Sequence, residues 1–138
     1  MIYLIESLKK VLVGSRFLDG DIVKDRRFGG FCNCGGIMFQ KIWVAIGDCE
    51  ILISECEKCW KNQAYIFNSK RFIRKEDVNV ITRDKFKEYL QSFLELNEFT
   101  SLINALNGYE YDLKAFESAK NKLEALNLKI DEISDLLK

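Results

Sequence analysis

Cys32-Asn33-Cys34-Gly35-Gly36 and Cys56-Glu57-Lys58-Cys59-Trp60 bracket the stretch that decides how this chain folds. Between them, Ile37-Met38-Phe39-Gln40-Lys41-Ile42-Trp43-Val44-Ala45-Ile46 is β-branched and aromatic, which predicts a strand. Gly47-Asp48 suits a tight hairpin turn at positive φ, and Glu50-Ile51-Leu52-Ile53-Ser54 reads as the return strand. Gln63-Ala64-Tyr65-Ile66-Phe67 reads as a third. Twenty-one residues separate Cys34 from Cys56, which is what a two-stranded hairpin consumes, and a hairpin returns its ends to one place. Four thiols, those of Cys32, Cys34, Cys56 and Cys59, are therefore expected to meet at its mouth. Zn²⁺ takes four thiolates in a tetrahedron. Gly35-Gly36 fits a sharp chain reversal that needs positive φ just past the second cysteine. Lys61-Asn62 is expected to turn the second pair, since Asn tolerates that conformation.

Knuckle, hairpin, knuckle and third strand, over residues 31–68, resemble the zinc-ribbon family. The resemblance implies a closed structural Zn²⁺ site with no open position for water or substrate. Zinc ribbons serve transcription factors, polymerase subunits, ribosomal proteins and enzyme accessory domains, so the fold does not choose the function. One departure is visible: only Asn33 lies between Cys32 and Cys34, where the family has two residues, so a tighter first knuckle is expected. Iron is an alternative occupant. Cys49 could replace one ligand, but its place beside the turn puts it at the far end of the hairpin. A redox role for Cys56-x-x-Cys59 lacks the surrounding βαβ pattern.

The whole chain has 138 residues, 48% hydrophobic and 30% charged, which is a globular composition. It contains no histidine, which removes His-based acid–base catalysis, Ser-His-Asp and Cys-His nucleophile arrangements, and His metal ligands. Lys plus Arg equals Asp plus Glu at 21 each, so no global field points to a nucleic-acid partner. Five cysteines, an odd number, leave one unpaired in any all-disulfide scheme. Acid and base interrupt the N-terminus early, and no apolar run approaches a membrane span. The expectation is a cytoplasmic protein with no membrane partner.

Charge divides the chain. Residues 1–82 carry 13 basic and 10 acidic side chains; residues 83–138 carry 8 and 11. Cysteine and tryptophan fall only in the first part. The reading is an α+β protein with a zinc-ribbon β region over 1–82 and an antiparallel helical hairpin over 83–138. Ile5, Leu8 and Leu12 at helical spacing suggest a short helix over residues 2–13, and residues 19–27 read as turn plus edge strand. Thr82 or Asp84 can cap a helix running to Leu106, which Asn107-Gly108 stops. A second helix starts near Asp112, with a heptad seam of Phe116, Ala119, Leu123, Leu126, Ile130, Ile133 and Leu137. Its expected partner stripe is Phe86, Tyr89, Phe93, Leu96, Thr100 and Ile103.

Two basic clusters, Lys24, Arg26, Arg27 and Lys70, Arg71, Arg74, Lys75, lie near Phe28, Phe31, Tyr65, Phe67 and Phe72. Cation beside aromatic surface is what single-stranded nucleic acid binds. A non-catalytic module contacting nucleic acid or a transcription or translation assembly is the favoured reading. The alternative is a protein–protein adaptor or homodimer acting through the C-terminal heptad helix. Asp48 and Glu50 at the hairpin tip resemble the acidic tip of transcript-cleavage factors, without their adjacency. Enzymatic activity is not expected: Gly29-Gly30 and Gly35-Gly36 match no phosphate-loop spacing, and Cys49 has no basic neighbour in sequence to activate it.

Overall fold

The computed structural model describes residues 1–137. The chain divides into a unit spanning Met1–Val80 and a second beginning at Ile81. The class is α+β, with nine strands in the first unit and four α-helices described in the second.

The first unit is organised around the hairpin. Strand β6 runs Ile37–Ile46 and β7 runs Cys49–Cys56, paired antiparallel from Ile46↔Cys49 to Met38↔Cys56. Strand β8, Asn62–Asn68, adds to β7. The small sheet expected from the sequence is larger than that. Strand β9, Arg71–Val80, follows a two-residue turn at Ser69-Lys70, both at positive φ (49° and 67°). Its sequence RFIRKEDVNV is charged and mostly exposed, so it lacks the apolar alternation that marks a strand.

Residues 2–13 are not a helix. They form β1, Ile2–Ile5, and β2, Lys10–Val13, joined by one 3₁₀ turn at Glu6–Leu8. β1 pairs antiparallel with β2 and parallel with β9. Ile2, Leu4 and Val11 share one side of the pleat and enter the core; this tertiary demand overrides the coincidental helical spacing of Ile5, Leu8 and Leu12.

Residues 16–22 bring the two ends of the sheet together. Strand β3, Arg16–Asp19, pairs with β2, and β4, Asp21–Ile22, pairs with β6. One continuous run thus joins both edges and makes the sheet barrel-like. Gly20 is its corner: a Cβ there would lie 2.2 Å from Ile42 Cδ1. Inside, Ile2, Leu4, Val11, Ile42, Val44, Ile51, Ile53, Ala64, Ile66 and Val78 form the buried core. The remaining strand, β5 (Phe28–Phe31), pairs only with β6.

In the second unit the expected hairpin of two helices is four shorter ones. α1 spans Arg83–Phe93, and the Thr82 hydroxyl accepts from the Lys85 N–H. It stops at Leu94 because Glu95 and Glu98 form a capping box that starts α2, Leu96–Leu106. The break resets the helical phase. Leu90, Leu94 and Leu102 are buried, whereas Leu96 of the expected stripe is 83% exposed. α3, Leu113–Ala125, is capped by Asp112, whose carboxylate accepts from the Lys114 and Ala115 N–H groups. Asn127 at φ 65° ends the run before α4, Ile130–Leu137. The heptad seam therefore crosses a turn. Ala119, Leu123, Ile133 and Leu137 are buried, packed within this unit. The Arg83 guanidinium donates to the carbonyls of Asp135 and Leu136 at the end of α4.

Candidate metal centre

The two knuckles sit where β6 begins and β7 ends, so the antiparallel register brings them together. Cys32 N–H donates to the Gly36 carbonyl and Gly35 N–H to the Cys32 carbonyl, both at 3.0 Å. Gly35 holds φ 90°, the left-handed turn expected just past Cys34. Gly36 is needed for space: a Cβ would lie 2.7 Å from Cys56 Sγ. At the second knuckle the turn differs from expectation. Trp60 takes φ 65° and its N–H donates to the Cys56 carbonyl, while Asn62 is extended in β8.

The ligand atoms of Cys32, Cys34, Cys56 and Cys59 lie within 4.8 Å of one another. Sulfurs of opposite knuckles pair most closely, Cys32 with Cys59 at 3.5 Å and Cys34 with Cys56 at 3.4 Å. Tetrahedral zinc with bonds near 2.3 Å sets its sulfurs ~3.8 Å apart, so the donor set and its spacing fit such an ion. Cys32 and Cys56 are buried and Cys34 and Cys59 exposed. Cys49 opens β7 opposite Ile46, at the other end of the hairpin, and is not in this cluster.

Backbone N–H groups stabilise negative sulfur here. Those of Lys58 and Cys59 donate to Cys56 Sγ at 3.3 and 3.5 Å. Chiefly through the Cys59 N–H, the Cys56 thiol is pulled down to about 6. Cys34 receives a Gly36 N–H bond that lowers its pKa. The neighbouring Cys56 sulfur, desolvation and the other two cysteines outweigh it, and push Cys34 up to about 12. The two neighbouring sulfurs thus differ: Cys56 favours the thiolate and Cys34 the thiol. A divalent cation bound among the sulfurs would favour thiolate ligands.

Of the basic residues, Arg26 lies at the second knuckle, lining a hollow with Cys56 and Trp60, whereas the second cluster lies on β9 and the turn before it. Arg26 pairs with Glu57 at 2.8 Å and lies 3.9 Å from the centroid of the Phe39 ring. Arg27 pairs with Asp25, and Arg74 with Glu76. Lys24, Lys70, Arg71 and Lys75 are exposed and form no ion pair among the described residues. Lys70 occupies the β8–β9 turn, and Arg71, Arg74 and Lys75 lie on β9. Lys24 and Arg27 line a hollow of about 370 Å³ beside Trp43. Glu6 and Glu55, which sequence reasoning did not single out, both bind the Lys41 ammonium. Burial opposes that charge, and the two carboxylates overcome it to raise the lysine's pKa.

Residues 1–80 match the AF0631-like N-terminal beta-barrel domain, and residues 83–136 match the AF0631-like C-terminal four-helix domain. The chain belongs to the AF0631-like family. A relative from Archaeoglobus fulgidus, described only as an uncharacterized protein, is 43% identical over 135 residues, covering 98% of each chain. No solved structure matches. No described helix of this AF0631-like chain is long and apolar enough to cross a membrane.

Proposed function

We propose that this AF0631-like chain is a non-catalytic binding module, stapled by one zinc ion and directed at nucleic acid or a nucleoprotein assembly. The observation that carries the metal reading is the convergence of four sulfurs from two knuckles. Cys32, Cys34, Cys56 and Cys59 would hold the ion, which supplies structural cross-linking. Four thiolates leave no open position for chemistry. Residues 31–68 keep the zinc-ribbon order of knuckle, hairpin, knuckle and strand, embedded in a larger barrel.

Unpaired cations on Lys24, Lys70, Arg71 and Lys75 support the nucleic-acid reading, since neutralised phosphates supply most non-specific affinity. The test is metal analysis of the purified chain, followed by a salt series with single- and double-stranded DNA and RNA. One zinc per chain is expected, with binding that weakens linearly in log salt. Sub-stoichiometric metal after zinc reconstitution overturns the zinc reading, and absence of binding at low salt overturns the nucleic-acid reading.

A protein partner is the second reading, favoured by Leu96 at 83%, Tyr109 at 68% and Leu113 at 62% exposure in the helical unit. Such a partner would meet these residues rather than the buried heptad seam.

A further inference from the structure

The outer side of the barrel carries a second feature that the metal does not explain. β-Sheet register assigns each side chain to a face. Ile42, Val44, Ile51, Ile53, Ala64 and Ile66 point inward to the core, so their neighbours along each strand point outward. The ladder then places Trp43, Leu52, Tyr65 and Lys75 in one cross-strand row. Phe67 and Phe72 face each other in the next row. Adjacent rings are close: Trp43 to Phe67 at 5.8 Å, Phe67 to Phe72 at 5.9 Å and Tyr65 to Phe72 at 6.2 Å between centroids. With Phe28 from β5 they wall an open bay of about 500 Å³, floored by Leu52. Phe28 and Phe72 are 54% and 56% exposed. These rings do not fill the core.

The bay is built rather than left over. Gln40 accepts from Trp43 Nε1 and donates to the Phe28 carbonyl, both at 3.1 Å, fixing one ring and the wall beside it. Tyr65 donates to Met38 Sδ at 3.3 Å. β5 lies close enough that a Cβ on Gly29 would sit 2.3 Å from Ser54 Oγ, and one on Gly30 2.2 Å from the Tyr65 oxygen. Gly29-Gly30 thus lets this strand reach the sheet, and β5 then runs directly into Cys32.

No carboxylate lines the bay. Lys75 ends its central row. On the opposite side, a hollow that shares Trp43 and Gln40 with it holds Lys24 and Arg27 beside Asp21 and Asp25, and Asp25 pairs with Arg27, which leaves Lys24 as the cation there without an ion pair among the described residues. Aromatic rings with Lys75 at one side and Lys24 at the other complement a chain whose flat apolar groups alternate with anions. We infer that this bay binds single-stranded nucleic acid, with unpaired bases on Phe28, Trp43, Phe67 and Phe72 and phosphates toward Lys24 and Lys75. A duplex keeps its base faces stacked internally and cannot offer them to these rings. The inference rests on the nucleic-acid reading above and specifies its site and its substrate class.

The experiment uses the full zinc-loaded chain with oligouridine, oligothymidine and a duplex of equal length, across a salt series. Single strands bind more tightly than duplex and quench Trp43 fluorescence, read in a Trp60→Phe background. Phe72→Ala and Phe28→Ala, both half-exposed and outside the core, each weaken single-strand binding about tenfold or more, with the salt slope unchanged. Lys24→Ala and Lys75→Ala lower the slope by about 0.7 for each phosphate no longer neutralised. Duplex bound as tightly as single strand, with Phe28→Ala and Phe72→Ala silent, overturns the bay and leaves the nucleic-acid reading in place. No binding to any of the three probes at low salt overturns both and turns the aromatic face into a candidate protein-docking surface.

Discussion

The knuckle end of the barrel and the helical unit solve the same problem with different means. At the knuckles, short loops with left-handed residues at Gly35 and Trp60 converge on four sulfurs, and only Cys32, Met38 and Cys56 form a small buried cluster. The helical unit has no sulfur. It buries Phe86, Leu90, Leu102, Ala119, Leu123 and Ile133, together with one carboxylate, Glu98, which accepts from the Ser118 hydroxyl and the Lys122 ammonium. The contrast shows what a thin layer of chain needs. Where too little apolar surface can be buried, a metal held by the four sulfurs would substitute for a core. Where three or four helices can meet, distributed packing suffices.

Both tryptophans, Trp43 and Trp60, lie in the first unit, so fluorescence follows the barrel while helical circular dichroism is dominated by the second. The largest expected effect that separates the two is metal loss. On the proposed zinc reading, Cys56→Ser is expected to abolish zinc retention and to remove metal-binding free energy on the order of 10 kcal/mol. The fluorescence transition shifts down sharply while the helical transition holds. A helical transition that falls in step would break the contrast. Core truncation should act in the reverse pattern. Leu123 is fully buried, and Leu123→Ala costs about 2–5 kcal/mol by leaving a cavity. That loss is expected in the helical signal, with zinc stoichiometry unchanged by metal analysis.

Glu98 sharpens the comparison through pH. Desolvation opposes its ionisation, but Lys122, Ser118 and the Glu95 N–H outweigh that and hold its pKa below the ordinary 4.5. A depressed folded value contributes stability that is fully present above the unfolded pKa and lost as pH falls through the folded one. The helical unit should therefore weaken as pH falls below about 4.5, and Glu98→Gln should flatten that dependence. Thermal melts of both forms at stepped pH measure it. The smallest effect is at an end: Thr82→Ala removes one cap and costs about 1 kcal/mol, confined to the helical transition.

Legibility follows how locally each feature is specified. β6 is readable over its full length because Ile37–Ile46 is β-branched and aromatic and Gly47-Asp48 marks the turn. The knuckle pairs are readable because hairpin arithmetic needs no knowledge of the rest of the barrel. β9 is not, because its turn at Ser69-Lys70 uses no glycine and most of its residues face outward. The helix break at Leu94 does have a local signal, Glu95 three residues before Glu98, hidden by an apolar spacing that continues across it. Gly29-Gly30 matches no phosphate loop, but its packing role depends on Ser54 and Tyr65, both far along the chain.

By itself, then, the sequence determined the hairpin, the four thiols at its mouth and the change from strand to helix near residue 82, since each rests on periodicity or spacing within a short window. Tertiary structure alone decided that residues 16–22 join both edges of the sheet, that β1 and β2 are strands, and that Trp43, Phe67 and Phe72 gather on the outside. Those outcomes depend on which strands become neighbours. Neighbourhood is set by burying Ile2, Leu4, Val11 and Val78 together, a requirement that no single segment carries.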